Sequence, residues 1–256
     1  MSLKVEQLAI GYRSGKKSTV IAENLNFTIK CGELTAIVGA NGIGKSTLLR
    51  TLGRIQPALN GSILLDEKPV SENTVRELSR KIGVVLTEPL SSRNITVTEL
   101  IALGRQPYTN WIGSLSAVDL GRVREVITLM GLEPLKNKKC FELSDGQLQK
   151  ALIGRALAQD TDLLLLDEPT THLDLYHKAQ ILKTLQGVAH NSNKIIVFTT
   201  HELDLAIQLC DRMLILGPEG YYFGEPCELI SQKNFETLFP SDLVRFDAKT
   251  GTFKIQ

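Results

Sequence analysis

The sequence of 256 residues has almost no charge imbalance, 29 Lys and Arg against 28 Asp and Glu. A near-neutral chain lacks the broad basic face that nucleic acid requires, and it suits an anionic membrane surface no better. Cysteines are few and scattered. Cys31, Cys140, Cys210 and Cys227 form no CxxC pair, which excludes a zinc ribbon and a secreted disulfide framework and leaves plain reduced thiols. Long apolar runs are missing as well. The opening stretch MSLKVEQLAIGY has no signal-peptide core, and nothing later approaches the roughly 18 apolar residues of a membrane span, so contact with a membrane is expected to be indirect. Repeats, low-complexity tracts and long heptad runs are absent too.

The 43% hydrophobic content is enough for a substantial core. Short apolar runs at Glu33 to Gly39, Ile82 to Leu86, Leu163 to Asp167, Lys194 to Thr200 and Arg212 to Leu216 alternate with helix-like text. That alternation predicts an α/β fold, a mostly parallel sheet flanked by helices. Leu3 to Ile10 and Leu25 to Lys30, joined by the polar segment Arg13 to Thr19, predict an antiparallel hairpin and hence an N-terminal β-layer. Between about 88 and 143 the strand signals stop. Thr96 to Gly104 and Ser116 to Gly131 read as helices there, with Ser116 and Asp119 set to cap the second. The chain is thus read as one domain: a core of about 1–87 and 144–220, an inserted helical subdomain of about 88–143, and a C-terminal extension of about 221–256.

The segment Gly39-Ala40-Asn41-Gly42-Ile43-Gly44-Lys45-Ser46-Thr47 matches G-x-x-x-x-G-K-[ST] and follows an apolar strand, as a phosphate loop requires. Its glycines let backbone N–H groups turn inward around phosphate oxygens, and a helix starting near Lys45 points its positive end at the same charge. Lys45 reaches the β and γ phosphates of ATP; the Ser46 hydroxyl serves Mg²⁺. The P-loop NTPase core follows from this motif in its strand context. A second run, Leu163-Leu164-Leu165-Leu166-Asp167-Glu168, ends a buried strand on two carboxylates, where ligands gather in open α/β sheets. Strand alternation sends the two side chains to opposite sides, Asp167 toward the metal shell and Glu168 toward the attacking water, as general base or water-positioning group.

Leu143-Ser144-Asp145-Gly146-Gln147 resembles the LSGGQ signature of ATP-binding cassette (ABC) proteins. It precedes the acidic strand, and Thr171-His172-Leu173-Asp174 and His201 follow in the order of that family's D-loop and switch histidine. The resemblance extends from Leu3 to about Ile230. It implies an ATPase working as a head-to-tail homodimer, in which Ser144, Gly146 and Gln147 of one copy, with Asp174 nearby, complete the ATP site of the other. Closure on binding and opening after hydrolysis would drive the cycle. Tyr12 sits where the family stacks an aromatic ring on adenine, or else packs on the β-layer. His201 would sense the γ phosphate, or be an ordinary structural histidine.

Two departures stand out. The usual glutamine after the strand Ile82 to Leu86 is Thr87, with Glu88 beside it, and either oxygen can complete the Mg²⁺ shell begun by Ser46 and Asp167. Asp145 replaces a signature glycine and is expected to face away from phosphate, capping the following helix. The text Thr96-Val97-Thr98-Glu99-Leu100 through Gly104-Arg105-Gln106-Pro107-Tyr108 resembles importers for iron-siderophore, haem and cobalamin. The resemblance implies an integral membrane permease as partner, peripheral attachment to the cytoplasmic face of the membrane, and a coupling surface to which Tyr108 and Trp111 contribute. Both rings could equally fill the insert's own small core. A soluble cassette of the iron–sulfur assembly type and an ATP-dependent switch with little turnover are the other classes this reading leaves open.

Overall fold

A computed structural model of the chain describes residues 1–15, 17–88, 90, 92–218, 220–238, 244–248 and 250–255. In chain order the elements are β1 (Ser2–Ser14), β2 (Lys17–Lys30), β3 (Leu34–Gly39), α1 (Lys45–Leu52), β4 (Asn60–Leu65) and β5 (Lys68–Pro69). Next come α2 (Val75–Lys81), β6 (Ile82–Val85), α3 (Val97–Ala102), α4 (Ala117–Leu129), α5 (Asp145–Ala158), β7 (Leu163–Leu166) and α6 (Leu175–Ser192). The chain continues through β8 (Ile195–Thr199), α7 (Leu203–Leu209), β9 (Arg212–Gly217), β10 (Gly220–Gly224), α8 (Pro226–Ser231), β11 (Val244–Asp247) and β12 (Thr252–Ile255). It forms two compact units, Met1–Asn73 with Gln186–Gln256, and Thr74–Leu185.

The first unit holds an antiparallel layer in the order β2-β1-β4-β5. Its hairpin is longer than the apolar runs imply, because polar residues between them are themselves paired, Tyr12 with Thr19, Arg13 with Ser18 and Ser14 with Lys17. Polar side chains on a solvated face do not interrupt a ladder made by backbone groups. Period-two burial is clear on β2, where Leu25, Phe27 and Ile29 are covered and Asn26, Thr28 and Lys30 are not. β1 breaks that period at a bulge between Val5 and Leu8, where Gln7 takes φ 45°. Against this layer stands a second set of strands in the order β10-β9-β3-β8, in which β3 runs parallel to both neighbours and β10 turns back on β9. Phe27 meets Phe223 at 5.4 Å between ring centroids and joins β2 to β10. Near the chain's end β11 and β12 pair antiparallel, and Phe246 stacks on Phe235 at 4.9 Å.

The second unit pairs β6 and β7 in parallel, Ile82 with Leu163 through Val85 with Leu166. Its helices α3, α4 and α5 share a core of Val97, Leu100, Ile101, Val123, Val126, Ile127, Leu148 and Ala151. Ser116 and Asp119 form the expected capping box on α4. No described helix is long and apolar enough to cross a membrane.

Candidate functional site

In the first unit the phosphate loop leaves the C-terminal end of β3, and α1 begins directly behind it. Gly44 is the N-cap of α1 at φ 110°, and a Cβ there would stand 2.4 Å from Ile21 Cγ2. Gly39, at φ 156°, would drive a Cβ to 2.6 Å from the Leu216 carbonyl oxygen. Both positions therefore demand glycine on conformational and steric grounds together. The buried Lys45 ammonium donates to the carbonyls of Gly39 at 2.9 Å and Ala40 at 3.1 Å, which holds the cation on the concave side of the loop. No acidic residue stands in the first turn of α1, whose positive dipole end favours an anion. Asn41 and Gly42 are exposed at the tip, and Ile43 and Ser46 are half-buried.

Tyr12 and His201 belong to this same unit. The Tyr12 hydroxyl lies 2.9 Å from Thr47 Oγ1, which ties the end of β1 to α1, while the residue as a whole stays 52% exposed. His201 is exposed and follows β8, whose Thr199 pairs with Ile37 of β3. Parallel pairing thus sends His201 and the phosphate loop out of the same end of adjacent strands.

The other predicted residues lie in the second unit. Because β6 and β7 are parallel, Thr87 and the two carboxylates emerge at one end, with the Asp167 N–H donating to the Val85 carbonyl at 2.8 Å. Asp167 is buried and Glu168 half-buried. Both line a pocket of ≈240 Å³ together with Thr87, Glu88, Arg93, Asp145 and His172, rather than facing opposite sides as strand alternation predicts, because β7 ends at Leu166 and the two carboxylates lie beyond its period. Glu168 takes φ 47°, in the left-handed region that a long side chain seldom adopts, and its Oε2 accepts from Thr171 Oγ1 at 3.1 Å.

Asp145 departs from expectation. The cap of α5 is Ser144, whose hydroxyl accepts from Gln147 N–H at 3.3 Å while Gln147 Oε1 accepts from Ser144 N–H at 3.1 Å. Asp145 is the helix's first residue and lines the pocket that holds Glu168. The reason is positional: only the residue before the first helical one has the extended backbone from which a side chain can reach back to the third N–H. Gly146 faces the loop before α6, where Leu173 Cδ2 lies 3.2 Å from the place of a Cβ. Asp174 opens α6, its carboxylate accepting from the His177 backbone N–H at 2.9 Å.

The family model described as ABC transporter matches residues 22–171. The chain belongs to the ABC transporter family. A shorter match, over residues 136–207, is to a family described as an AAA domain. This ABC ATPase is 34% identical to the petrobactin import ATP-binding protein FpuD of Bacillus anthracis, over 93% of the chain and 86% of that protein. It is 35% identical to the ferric enterobactin transport ATP-binding protein FepC of Escherichia coli (strain K12), again over 93% of the chain and 86% of that protein. A dimeric ATP-binding cassette in a post-hydrolysis state, bound to ADP and Pi, superposes with TM-score 0.75 at 27% identity, over 88% of this chain and 98% of the other.

The segment Gly104 to Trp111 of the cassette divides into an anchor and a tip. A Cβ on Gly104 would meet the Arg155 carbonyl oxygen at 2.0 Å, so only glycine allows this close approach to α5. Arg105 is buried; it donates to Asp119 Oδ1 and to the Ala158 carbonyl, each at 2.8 Å, and lies 3.9 Å from the centre of the Tyr108 ring. Tyr108 is therefore half-buried against arginine, whereas Trp111 is 94% exposed and fills no core. In the sequence Arg105 figures only as part of the importer-like text, with no sign of its buried pairing with Asp119, and nothing there marks Arg93 as lining the pocket.

Proposed function

We propose that this ABC ATPase is the motor of a membrane importer for an iron-siderophore, haem or cobalamin-like chelate, working as a head-to-tail pair of copies bound to an integral permease at the cytoplasmic face of the membrane. The observation that carries the importer reading is the exposed Trp111, with Ile112 beside it 68% exposed, presented on a segment whose Arg105 is pinned in the core. An apolar tip on a rigid base suits a protein partner. The names of the petrobactin and enterobactin relatives support the cargo class.

In this reading Gly39 to Thr47 cradle the phosphates of ATP, with Lys45 on the β and γ groups, and Tyr12 offers the adenine a flat face. Ser144, Gly146 and Gln147 of the second copy close on the γ phosphate, with Asp174 at the edge of the contact, and the N-terminus of α5 adds a second positive dipole end. Ser46, Asp167 and Thr87 are oxygen donors of the kind Mg²⁺ takes. The ion, when bound, neutralises charge developing on the phosphate oxygens. Glu168 orients the attacking water or takes its proton, and His201 contacts the γ phosphate and registers its loss. Domain roles follow the same pattern: residues of about 88–143 meet the permease, and those of about 1–87 and 144–220 hold the nucleotide.

Copurification with a permease tests the proposal. Wild-type chain should form a stable complex with its permease and hydrolyse ATP faster within it. Trp111→Ala should fold and bind ATP normally yet lose roughly tenfold in complex affinity, the loss of one central aromatic anchor. An unchanged affinity would remove Trp111 from the contact, and a wild-type chain that associates with no permease would defeat the importer reading.

A further inference from the structure

The helix α6 begins with a closed pair of side chains, of which the nucleotide site described above includes Asp174 but not His177. Asp174 Oδ1 accepts from the backbone N–H of His177, and Asp174 Oδ2 lies 2.7 Å from His177 Nδ1. The backbone bond, followed by the ring bond, holds the Asp174 carboxyl below the usual carboxylate range. An ionised carboxylate only accepts hydrogen bonds, so His177 Nδ1 carries the proton between them. Two bonds made at once by one carboxylate fix both of its torsions. On the ring's flank Tyr176 meets His177 edge-on, 5.5 Å between centroids with an interplanar angle of 87°.

The loop held in this way is not isolated. Leu173, next to Asp174, stands 3.2 Å from where a Cβ of Gly146 would be, so the loop abuts the signature segment at its glycine. His177 thus holds Asp174, Asp174 ends the loop, and the loop bears on Gly146. The pair itself is exposed, with side-chain accessibilities of 44% for His177 and 64% for Asp174. Exposed pairs contribute little to folding stability. Losing this one would show in the placement of the loop rather than in the melting of the domain.

We propose that His177 is a positioning residue of the ATPase cycle, holding Asp174 and with it the loop Thr171 to Asp174 in the shape that a second cassette closes on. The role rests on the reading of that loop as part of the contact between two copies. His177 touches no nucleotide; it acts through Asp174.

The test uses the full chain and compares wild type, His177→Ala and His177→Asn, the asparagine placing an amide N–H near the position of Nδ1–H. His177→Ala should lose about tenfold in kcat, the effect of removing one hydrogen bond to a charged group, with ATP affinity and melting temperature unchanged. His177→Asn should recover most of that loss. Imidazole ¹⁵N shifts of the wild type should report the proton on Nδ1, and Asp174→Ala should release it. A wild-type kcat in His177→Ala, an equal loss in His177→Ala and His177→Asn, or a neutral ring protonated on Nε2 would each overturn the proposal. The dimer reading is followed separately, by sedimentation of Glu168→Gln with ATP. If that variant stays monomeric, the dimer reading fails and the proposal with it; if it dimerises while His177→Ala turns over normally, the proposal alone fails.

Discussion

The hydroxyl of Tyr12 and the Oγ1 of Thr47 lie 2.9 Å apart, a bond that fastens the last turn of the β-layer hairpin to the helix behind the phosphate loop. One end of the ring is held while about half of the residue's surface stays open. Tyr12→Phe should keep the flat face and bind ATP within about threefold of wild type, since a single neutral hydrogen bond is worth little net. Tyr12→Ala should weaken binding by roughly tenfold, the value of one base stacked on one ring. A titration with a fluorescent ATP analogue reads both, and equal affinities for all three proteins would remove Tyr12 from the adenine site.

Glu168→Gln should keep ATP binding, lower turnover by at least about a hundredfold and trap a closed dimer, because an amide hydrogen-bonds like the carboxylate but takes no proton. Steady-state phosphate release and sedimentation with ATP measure the two effects. Turnover at the wild-type rate would exclude Glu168 as the base.

Lys45→Ala acts one step earlier. Its ammonium is the buried charge inside the loop, bonded to the carbonyls of Gly39 and Ala40. Losing it should weaken ATP binding by at least about tenfold, as expected for a charge-assisted contact. Equilibrium dialysis against ATP checks this, with circular dichroism showing that the fold is retained; an unchanged affinity would defeat the cradle argument.

The buried pair Arg105 and Asp119 makes a prediction about acid. Hydrogen bonds from Ser116, then the Arg105 partner, hold the Asp119 carboxyl below the usual carboxylate range. A carboxyl depressed in the folded state contributes stability above its unfolded value, and that stability is lost as pH falls through the folded value. Urea unfolding should therefore show a loss of stability below about pH 4 that is smaller in Asp119→Asn. At neutral pH Arg105→Ala should cost about 3 kcal/mol, because it strands a buried carboxylate. Acid profiles of the same shape in wild type and Asp119→Asn would place the titrating group elsewhere.

What could be read in advance was whatever depends on local spacing. The loop between β3 and α1 and the capping box at Ser116 each need only neighbours in the chain, and both stand where their spacing puts them. The two carboxylates do follow their strand, but β7 stops at Leu166 and both line one pocket, so the alternation expected of them does not hold. What escaped was decided by residues far apart. β4 and β5 are short strands with turn residues around them, and only their pairing with β1 and with each other identifies them. Arg105 carries a charge that reads as surface until Asp119, fourteen positions later, is seen to meet it in the core. Asp145 failed by a single residue: the capping chemistry was right and belonged to Ser144.

The backbone of Glu168, at φ 47°, sets stability and chemistry at odds in one codon. Glycine or asparagine would relax that conformation, by about 1 kcal/mol. Each would also delete the carboxylate. A library screened for thermal resistance alone would be drawn to position 168 and return sturdier proteins that no longer consume ATP, so any stabilised variant of this cassette needs its turnover measured before its melting temperature is trusted.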